Sequence, residues 1–124
     1  MADPPTPSIS EPERIAADGA SLSVHEWRGS GPPWLHVHHA DDEAWHVLEG
    51  TVRFRFADRQ VEAEAGTTVF VPAGVPHTYE APAGARYLIV LTPRLRALIA
   101  ELQRTPDPGQ HAAVFHRYES ELLD

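Results

Sequence analysis

Four residues near the middle of the chain have side chains of the types that bind metal ions in proteins. His36 and His38 lie two positions apart, Glu43 follows after four intervening residues, and His77 follows a loop rich in proline and glycine. Residues two apart on a β-strand point to the same side, so His36 and His38 would present two imidazoles together. Three imidazoles and one carboxylate favour one divalent transition metal per chain, such as iron, manganese, nickel or zinc. The alternative for each histidine taken alone is an ordinary structural or surface position.

The segments that must position these side chains have the pattern of short β-strands. From residue 20 to residue 92, runs rich in β-branched and aromatic residues are separated by turns that contain glycine and proline. The expected strands cover residues 22–27, 34–39, 44–48, 52–56, 60–65, 67–71, 77–80 and 85–91. Residues 49–50 are predicted to form a turn between two of them. Many short strands at near-regular spacing predict an all-β sandwich or barrel, with Val52, Phe54 and Phe56 in its core.

After residue 92 the hydrophobic period becomes that of a helix. A first apolar stripe is formed by Leu95, Leu98, Ile99 and Leu102. Asp107 is followed by Pro108, and the pair predicts a second helix with Asp107 as its N-cap and Pro108 at its first position. The stripe of that second helix consists of Val114, Phe115, Tyr118 and Leu122. Helices this short are not stable alone, so residues 93–124 are predicted to be a helical extension of one domain formed by residues 14–92.

The composition limits the partners and the location of the protein. Ten arginines, no lysine and eighteen acidic residues give a net charge of −8, which makes nucleic acid and anionic membranes poor partners. There is no cysteine, so disulfides and thiolate metal sites are excluded. The first residues carry no secretion signal, and we therefore expect a cytoplasmic protein. Residues 1–13, rich in proline and polar side chains, are predicted to form a flexible arm.

The spacing of the candidate ligands resembles the two sequence motifs of the cupin family, whose members are small jelly-roll barrels. The first motif, His-x-His followed by Glu and Gly, is matched by His36, His38, Glu43 and Gly50. The second motif, Gly followed by Pro-x-Gly and His, is matched by Gly66, Pro72, Gly74 and His77. The chain departs from the family pattern at Gly31, one place too close to His36, and at Ala81, where the family has Asn.

The resemblance implies a double-stranded β-helix, or jelly-roll barrel, followed by two short C-terminal helices. It also implies the metal ligands, which would be His36, His38, Glu43 and His77. Strand alternation then places four further side chains on the ligand side, where they would line a pocket: Trp45, Val47, Tyr79 and Ala81. The same alternation turns His39 and His46 away from the pocket, towards the outer surface.

The resemblance further implies a function, since small cupins include metal-dependent dioxygenases, isomerases and decarboxylases. We expect an enzyme that acts on a small molecule, and within that class a dioxygenase of phenolic or enol-type compounds, because the predicted pocket is aromatic and apolar. Glu43, when it leaves the metal, would serve as the general base, and Tyr79 would donate a proton or orient the ligand. The alternative for Trp45 and Tyr79 is core packing alone. Two alternatives stay open: a metal-dependent isomerase or decarboxylase, and a non-catalytic module that binds a metabolite or a sugar. Exposed strand edges and the apolar helix stripes also predict a homodimer.

Overall fold

The computed structural model describes residues 5–12 and 14–123 of the chain. Its strands are β1 (Ala16–Asp18), β2 (Ser23–Arg28), β3 (His36–His38), β4 (Glu43–Phe56), β5 (Gln60–Glu64), β6 (Thr68–Val71), β7 (His77–Glu80), β8 (Ala85–Leu91) and β9 (Ser120–Leu122). Its helices are α1 (Pro93–Gln103) and α2 (His111–Arg117), the second preceded by a 3₁₀ turn (Pro108–Gln110). Of the predicted arm, residues 5–12 contain neither helix nor strand, and residues 1–4 and 13 lie outside the described residues. Within the described ranges, the helices are all too short and too polar to cross a bilayer.

The strands form two antiparallel sheets that share β4. The first sheet has the order β1-β2-β8-β4-β6, and the second has the order β5-β4-β7-β3-β9. This arrangement confirms the predicted all-β class with two short C-terminal helices. Strand β1 was not predicted; it is a three-residue strand that pairs with β2 at the edge of the first sheet.

Strand β4 runs without interruption where the sequence predicted two strands. The predicted turn at residues 49–50 is wrong, because the chain forms a β-bulge just before Gly50 and continues in the same strand. Gly50 has a φ of +78°, and a Cβ there would lie 2.6 Å from the carbonyl oxygen of Gly84. The strand bends strongly, since the rings of Trp45 and Phe54 lie 5.2 Å apart although nine residues of straight strand span about 30 Å. The bend allows one strand to belong to both sheets.

The C-terminal region begins as the sequence predicted. Helix α1 starts after Thr92, whose hydroxyl accepts a hydrogen bond from the Leu95 amide at 3.2 Å, and Pro93 occupies its first position. Asp107 accepts a hydrogen bond from the Gly109 amide at 2.9 Å and caps the 3₁₀ turn that leads into α2. Asp107 is therefore a cap as predicted, but of the 3₁₀ turn; α2 itself begins at His111, with Gln110 before it.

The chain ends differently from the prediction. Leu122 was assigned to the second helix, but α2 ends at Arg117 and Leu122 lies in β9. The helix cannot continue because Glu119 adopts a φ of +57°, which is outside the helical region. Strand β9 then pairs with β3, with Ser120 opposite His38. The last strand thus covers one edge of the strand that carries two of the candidate ligands.

The core lies between the two sheets and is closed on one side by the helices. Its fully buried members are Trp45, Val47, Val52, Phe54, Ala63, Val71, Tyr87, Ile89, Leu91, Leu95, Leu98, Val114 and Phe115. The predicted core positions of Val52 and Phe54 are confirmed, and Phe56 packs against this cluster while partly exposed. Since the apolar stripes of α1 and α2 contribute to the same core, they are buried within the protein itself.

Candidate metal centre

Three strands bring the four candidate ligands together. His36 and His38 lie on β3, Glu43 begins β4, and His77 begins β7 directly opposite His36. Each of the three imidazoles offers one nitrogen, and these nitrogens lie within 4.8 Å of one another. Oε1 of Glu43 is 3.3 Å from Nε2 of His38 and 3.2 Å from Nε2 of His77. All four residues are buried, with exposed fractions between 1% and 7%.

The loop before β7 fixes the position of His77. The Gly74 amide donates to the carbonyl oxygen of His38 at 2.8 Å, and the Ala73 amide donates to Oδ1 of Asp42 at 2.9 Å. Gly74 has a φ of +92°, a backbone conformation that residues with a Cβ rarely adopt. The glycine of the second motif is therefore needed for the loop to reach the β3–β4 connection.

Two of the imidazoles are oriented by backbone groups close to them in sequence. Nδ1 of His36 donates to the carbonyl oxygen of Trp34 at 3.0 Å, and Nδ1 of His77 donates to that of Val75 at 2.9 Å. A carbonyl oxygen only accepts hydrogen bonds, so each Nδ1 carries the proton. Nε2 of each ring is then directed at the centre with its lone pair available.

His38 is oriented instead by Ser120, which lies 82 positions later in the chain. Its Nδ1 is 2.7 Å from Oγ of Ser120, and that hydroxyl donates its only proton to the carbonyl oxygen of Tyr118 at 3.1 Å. The hydroxyl oxygen must therefore accept from Nδ1 of His38, which again leaves Nε2 for the centre. No local pattern in the sequence marks Ser120, because its role depends on the pairing of β9 with β3.

The burial of the centre controls its charges. Burial, reinforced by repulsion from His77 and His38, lowers the pKa of His36 to about 3. Burial raises the pKa of Glu43, but hydrogen bonds with Nε2 of His38 and His77, which need a proton shared among these atoms in the metal-free chain, outweigh burial and lower the pKa to about 2. At neutral pH the centre thus contains a neutral His36 and an ionised Glu43. These are the protonation states in which the two groups bind metal ions.

The arrangement fits a metal ion. The lone pairs of Nε2 and the Glu43 carboxylate converge, and only a cation among them, a shared proton or a metal ion, offsets their repulsion. His36, His38 and His77 would bind the ion through Nε2, and Glu43 through Oε1. Each imidazole already has the hydrogen bond on its other nitrogen that supports metal-bound histidines. Nitrogen and oxygen ligands without sulfur favour a divalent first-row ion.

A cavity of about 280 Å³ adjoins the ligands. Three of the candidate ligands line it, His36, His38 and Glu43, together with Trp45 and Tyr79 from the predicted pocket. The opposite wall is apolar and includes residues of β8, α1 and α2: Ile89, Leu95, Leu98, Ile99, Leu102 and Phe115. The C-terminal helices therefore line the space in which a molecule would meet the metal.

Two residues predicted for the pocket do not line this cavity. Val47 is 1% exposed and packs in the core, because it lies one strand repeat, about 7 Å, beyond Trp45 along β4. Ala81 follows the last residue of β7, so strand alternation no longer applies to it. Its amide donates to Oγ of Ser30 at 2.9 Å, which holds it in the adjoining loop.

The other residues singled out by the sequence occupy different surroundings. His39 is about half exposed and lies 3.2 Å from Glu121, while Nδ1 of His46 is 2.7 Å from the Thr68 hydroxyl. Neither histidine belongs to the ligand cluster found among the described residues. Tyr79 lies at the cavity wall, where burial and the neighbouring Tyr87 raise the pKa of its phenol well above the ordinary value.

Comparisons with known proteins agree with this architecture. Among solved structures, the chain is similar to a cupin-2 domain protein from Shewanella frigidimarina, with 27% identity, 60% of this chain and 72% of that chain covered, and a TM-score of 0.56. A cupin protein from Bacteroides fragilis is 16% identical, with 74% and 86% covered and a TM-score of 0.58. The DMSP lyase DddQ from Ruegeria pomeroyi is 22% identical, with 60% and 39% covered and a TM-score of 0.50. The last two proteins are less than 25% identical to the chain, so their likeness to it shows a shared fold alone.

A protein-family model matches the part of the chain that contains the candidate ligands. No curated protein matches the chain. A family model described as a cupin domain matches residues 23–91, a segment that includes β2 to β8. All four candidate ligands fall within the matched segment, and their convergence follows from its strand pairing. Because this match spans more than half of the chain, the protein belongs to the cupin family.

Proposed function

We propose that the protein is a metal-dependent enzyme that acts on a small, largely apolar organic molecule. The observation that carries this proposal is the position of the ligand cluster at one wall of a cavity whose other wall is apolar. A site that only stored a metal would not need a cavity beside it, whereas catalysis needs space for a substrate next to the ion. Within this class we propose a dioxygenase of phenolic or enol-type compounds.

The bound metal would act as a Lewis acid towards substrate oxygen atoms and leave coordination positions open for exchange. The protein contributes an acid and a base beside it. Glu43 is ionised at neutral pH and lies at the cavity wall, so its carboxylate is placed to accept a substrate proton when it leaves the ion. Tyr79 lies at the cavity wall and is protonated at neutral pH, so its phenol is placed to donate a proton to the substrate.

The proposed reaction needs no further electron donor. Both atoms of dioxygen enter the products, the organic substrate is oxidised, and dioxygen is reduced in the same turnover. The apolar wall supports such a reaction by excluding water around the substrate, with side chains that include Leu95, Leu98 and Phe115. The cavity volume of about 280 Å³ leaves room for a small organic molecule beside the ligands.

The test is an oxygen-electrode screen of the iron-, manganese- and nickel-loaded protein against flavonols, catechols and diketones. We expect metal-dependent oxygen uptake with at least one of these compounds. The His77→Ala variant serves as the blank, and His39→Ala, which changes an exposed histidine outside the cluster, serves as the matched control. Tight binding of a panel compound without any metal-dependent turnover would contradict the enzyme proposal and favour a metabolite-binding module.

We also propose that the protein acts in the cytoplasm as a homodimer. The helix stripes and the edge of β3 no longer support a dimer, because the core and β9 cover them. The remaining support is an apolar surface on the first sheet, where Leu22 is 53% exposed and Phe70 is 61% exposed. Light scattering at tens of micromolar protein is expected to give twice the mass of the chain, and a monomer mass would contradict this proposal.

A further inference from the structure

The cavity beside the metal centre follows the inner face of the first sheet. Its lining extends from Glu43 and Trp45 on β4 to Trp27 near the end of β2. Trp45 pairs with Ile89, and Trp27 pairs with Tyr87, so the two tryptophans belong to successive rows of side chains on this face. Glu43 belongs to the row on the other side of Trp45. From the row of Glu43 to the row of Trp27, the cavity therefore follows four strand residues, or about 13 Å.

Helix α1 covers the same distance on the opposite side of the cavity. Arg94, in its first turn, lies 3.6 Å from Asp41 in the connection that leads into Glu43. Gln103, its last residue, lines the cavity, and the nine helical steps from Arg94 to Gln103 span about 14 Å. The lining side chains between them recur at helical spacing along one face: Leu95, Leu98, Ile99 and Leu102. The helix and the sheet thus form two walls of one long passage.

This passage is buried at one end and open to solvent at the other. On the helix, Leu95 is 1% exposed, whereas Gln103 is an exposed residue. On the sheet, Trp45 is 1% exposed, Trp27 is partly buried and the adjacent Arg28 is exposed. Both walls therefore become more exposed with distance from the ligands. The metal centre lies at the buried end, and the mouth lies beside Arg28 and Gln103.

The middle of the passage is thin and apolar. Ile89 from the sheet and Leu98 from the helix both line the cavity, yet each is only 2% exposed. Among the described residues that line it, and apart from the histidine ligands, charged side chains occur at the two ends, Glu43 at the centre and Arg28 at the mouth. A charged group in the middle would lose its hydration without gaining a partner. An extended hydrocarbon chain meets both conditions, whereas a bulky ring system needs a wider space.

We propose that the substrate carries an unbranched hydrocarbon chain that lies between the first sheet and α1, with its polar, enol-type end at the metal centre and its other end at the mouth. Ile99 and Leu102, on the outer half of the helical wall, contact this chain and determine the length that the passage accepts. The inference rests on the proposed function in one respect, that the cavity beside the metal centre is the substrate site. It narrows the substrate class to enol-type compounds with a linear chain.

The first test compares the binding of linear 2,4-diketones of increasing length, from 2,4-pentanedione to 2,4-nonanedione, by titration in ¹H–¹⁵N spectra. Each added CH₂ group is expected to raise affinity by up to about fourfold, so 2,4-octanedione should bind at least about tenfold tighter than 2,4-pentanedione. A cyclic diketone that also has eight carbon atoms, 2-acetylcyclohexanone, is expected to bind more weakly than 2,4-octanedione.

This test separates the inference from the proposed function, because it measures binding and not turnover. The titrations are made with both the zinc-loaded and the metal-free protein, so a failure of metal binding leaves the dependence on chain length measurable. A clear dependence on chain length without any oxygen uptake would contradict the proposed function alone. Oxygen uptake without such a dependence would overturn this inference alone.

A variant that obstructs the passage gives the second readout. Ile99→Trp is expected to weaken the binding of 2,4-octanedione at least about tenfold. It should leave that of 2,4-pentanedione unchanged, because the shorter molecule stays at the buried end. The matched control is Ala97→Trp, at an exposed position of the same helix that does not line the cavity, and it is expected to bind both compounds as the wild type does. If Ile99→Trp does not fold, Leu102→Trp obstructs the passage nearer to the mouth.

Four results would overturn the proposal: equal affinities for the short and long diketones, tighter binding of the cyclic compound, an equal loss of both linear diketones in the obstructed variant, or no binding of any diketone.

Discussion

The strands that carry the ligands and the C-terminal segment that surrounds them contribute differently to the metal centre. On the strands, His36 and His77 are oriented by carbonyl groups two positions earlier in the chain. Residues 93–123, all of which the structure describes, contain none of the clustered ligands. They provide instead the apolar wall of the cavity and the hydroxyl of Ser120, which orients His38.

This difference shows that one site depends on two kinds of support. The local support forms whenever β3 and β7 adopt their strand geometry. The remote support exists only after α1 and α2 have packed and β9 has paired with β3. We therefore expect changes on the strands to affect metal binding directly, and changes in the C-terminal segment to act through stability and through the orientation of one ligand.

The largest effect is expected from removing a ligand on the strands. His38→Ala deletes one nitrogen ligand and is expected to lower metal affinity by more than roughly 100-fold, which exceeds the usual effect of a supporting residue. Metal content after dialysis, measured by elemental analysis, checks this. The neighbouring His39→Ala is the control, because His39 is exposed and outside the cluster. Full metal content in a variant that lacks all four ligands would refute the site.

The next effect concerns the helical wall. Phe115 is 1% exposed and its ring lies 5.4 Å from that of His36. Phe115→Ala is expected to lower the free energy of unfolding by about 3–5 kcal/mol, because it leaves a cavity in the core. Urea denaturation of the metal-free protein measures the change. Phe70→Ala, at a residue 61% exposed, is expected to change it by less than about 0.5 kcal/mol. Equal effects of the two variants would mean that α2 does not pack as described.

Ser120 tests the remote support itself. Ser120→Ala removes the acceptor for Nδ1 of His38 and is expected to lower metal affinity by about 10–100-fold, with Ser120→Thr restoring most of it. The control is Ser23→Ala, which deletes another buried hydroxyl. That hydroxyl donates to Oδ1 of Asp18 at 2.7 Å and lies outside the ligand cluster. Titration with zinc measures both variants. Wild-type affinity in a folded Ser120→Ala variant would show that β9 is not needed to orient the ligand.

The smallest effect is a pH dependence of the metal-free protein. His36 has a pKa of about 3 in the folded chain and about 6.5 when unfolded, so the unfolded chain binds more protons between these values. Stability therefore falls as the pH drops below 6.5, by about 1–2 kcal/mol between pH 7 and pH 5. Urea denaturation at both pH values measures it. This pH dependence of stability is expected to weaken in His36→Gln. If the variant keeps the wild-type pH dependence, another titratable group causes it.

Much of the fold and of the ligand set was predictable because it depends on local order in the chain. The alternation of β3 puts His36 and His38 on one side, and Gly74 marks the loop that delivers His77. The N-cap at Asp107 was also readable, since a capping side chain bonds to an amide only two positions away. Each of these features needs contacts between neighbours in sequence, which is what periodicity and turn residues report.

The tertiary structure decided the rest. The sequence around Gly50 is typical of a turn, yet the approach of Gly84 and the pairing with two sheets make it a bulge in one long strand. Ser120 looked like part of a helix, and only the free edge of β3 made it a strand residue beside His38. By itself the sequence determined which side chains are able to bind a metal. The pairing of distant strands determined how these side chains are oriented and which others surround them, because such pairing joins residues far apart in the chain.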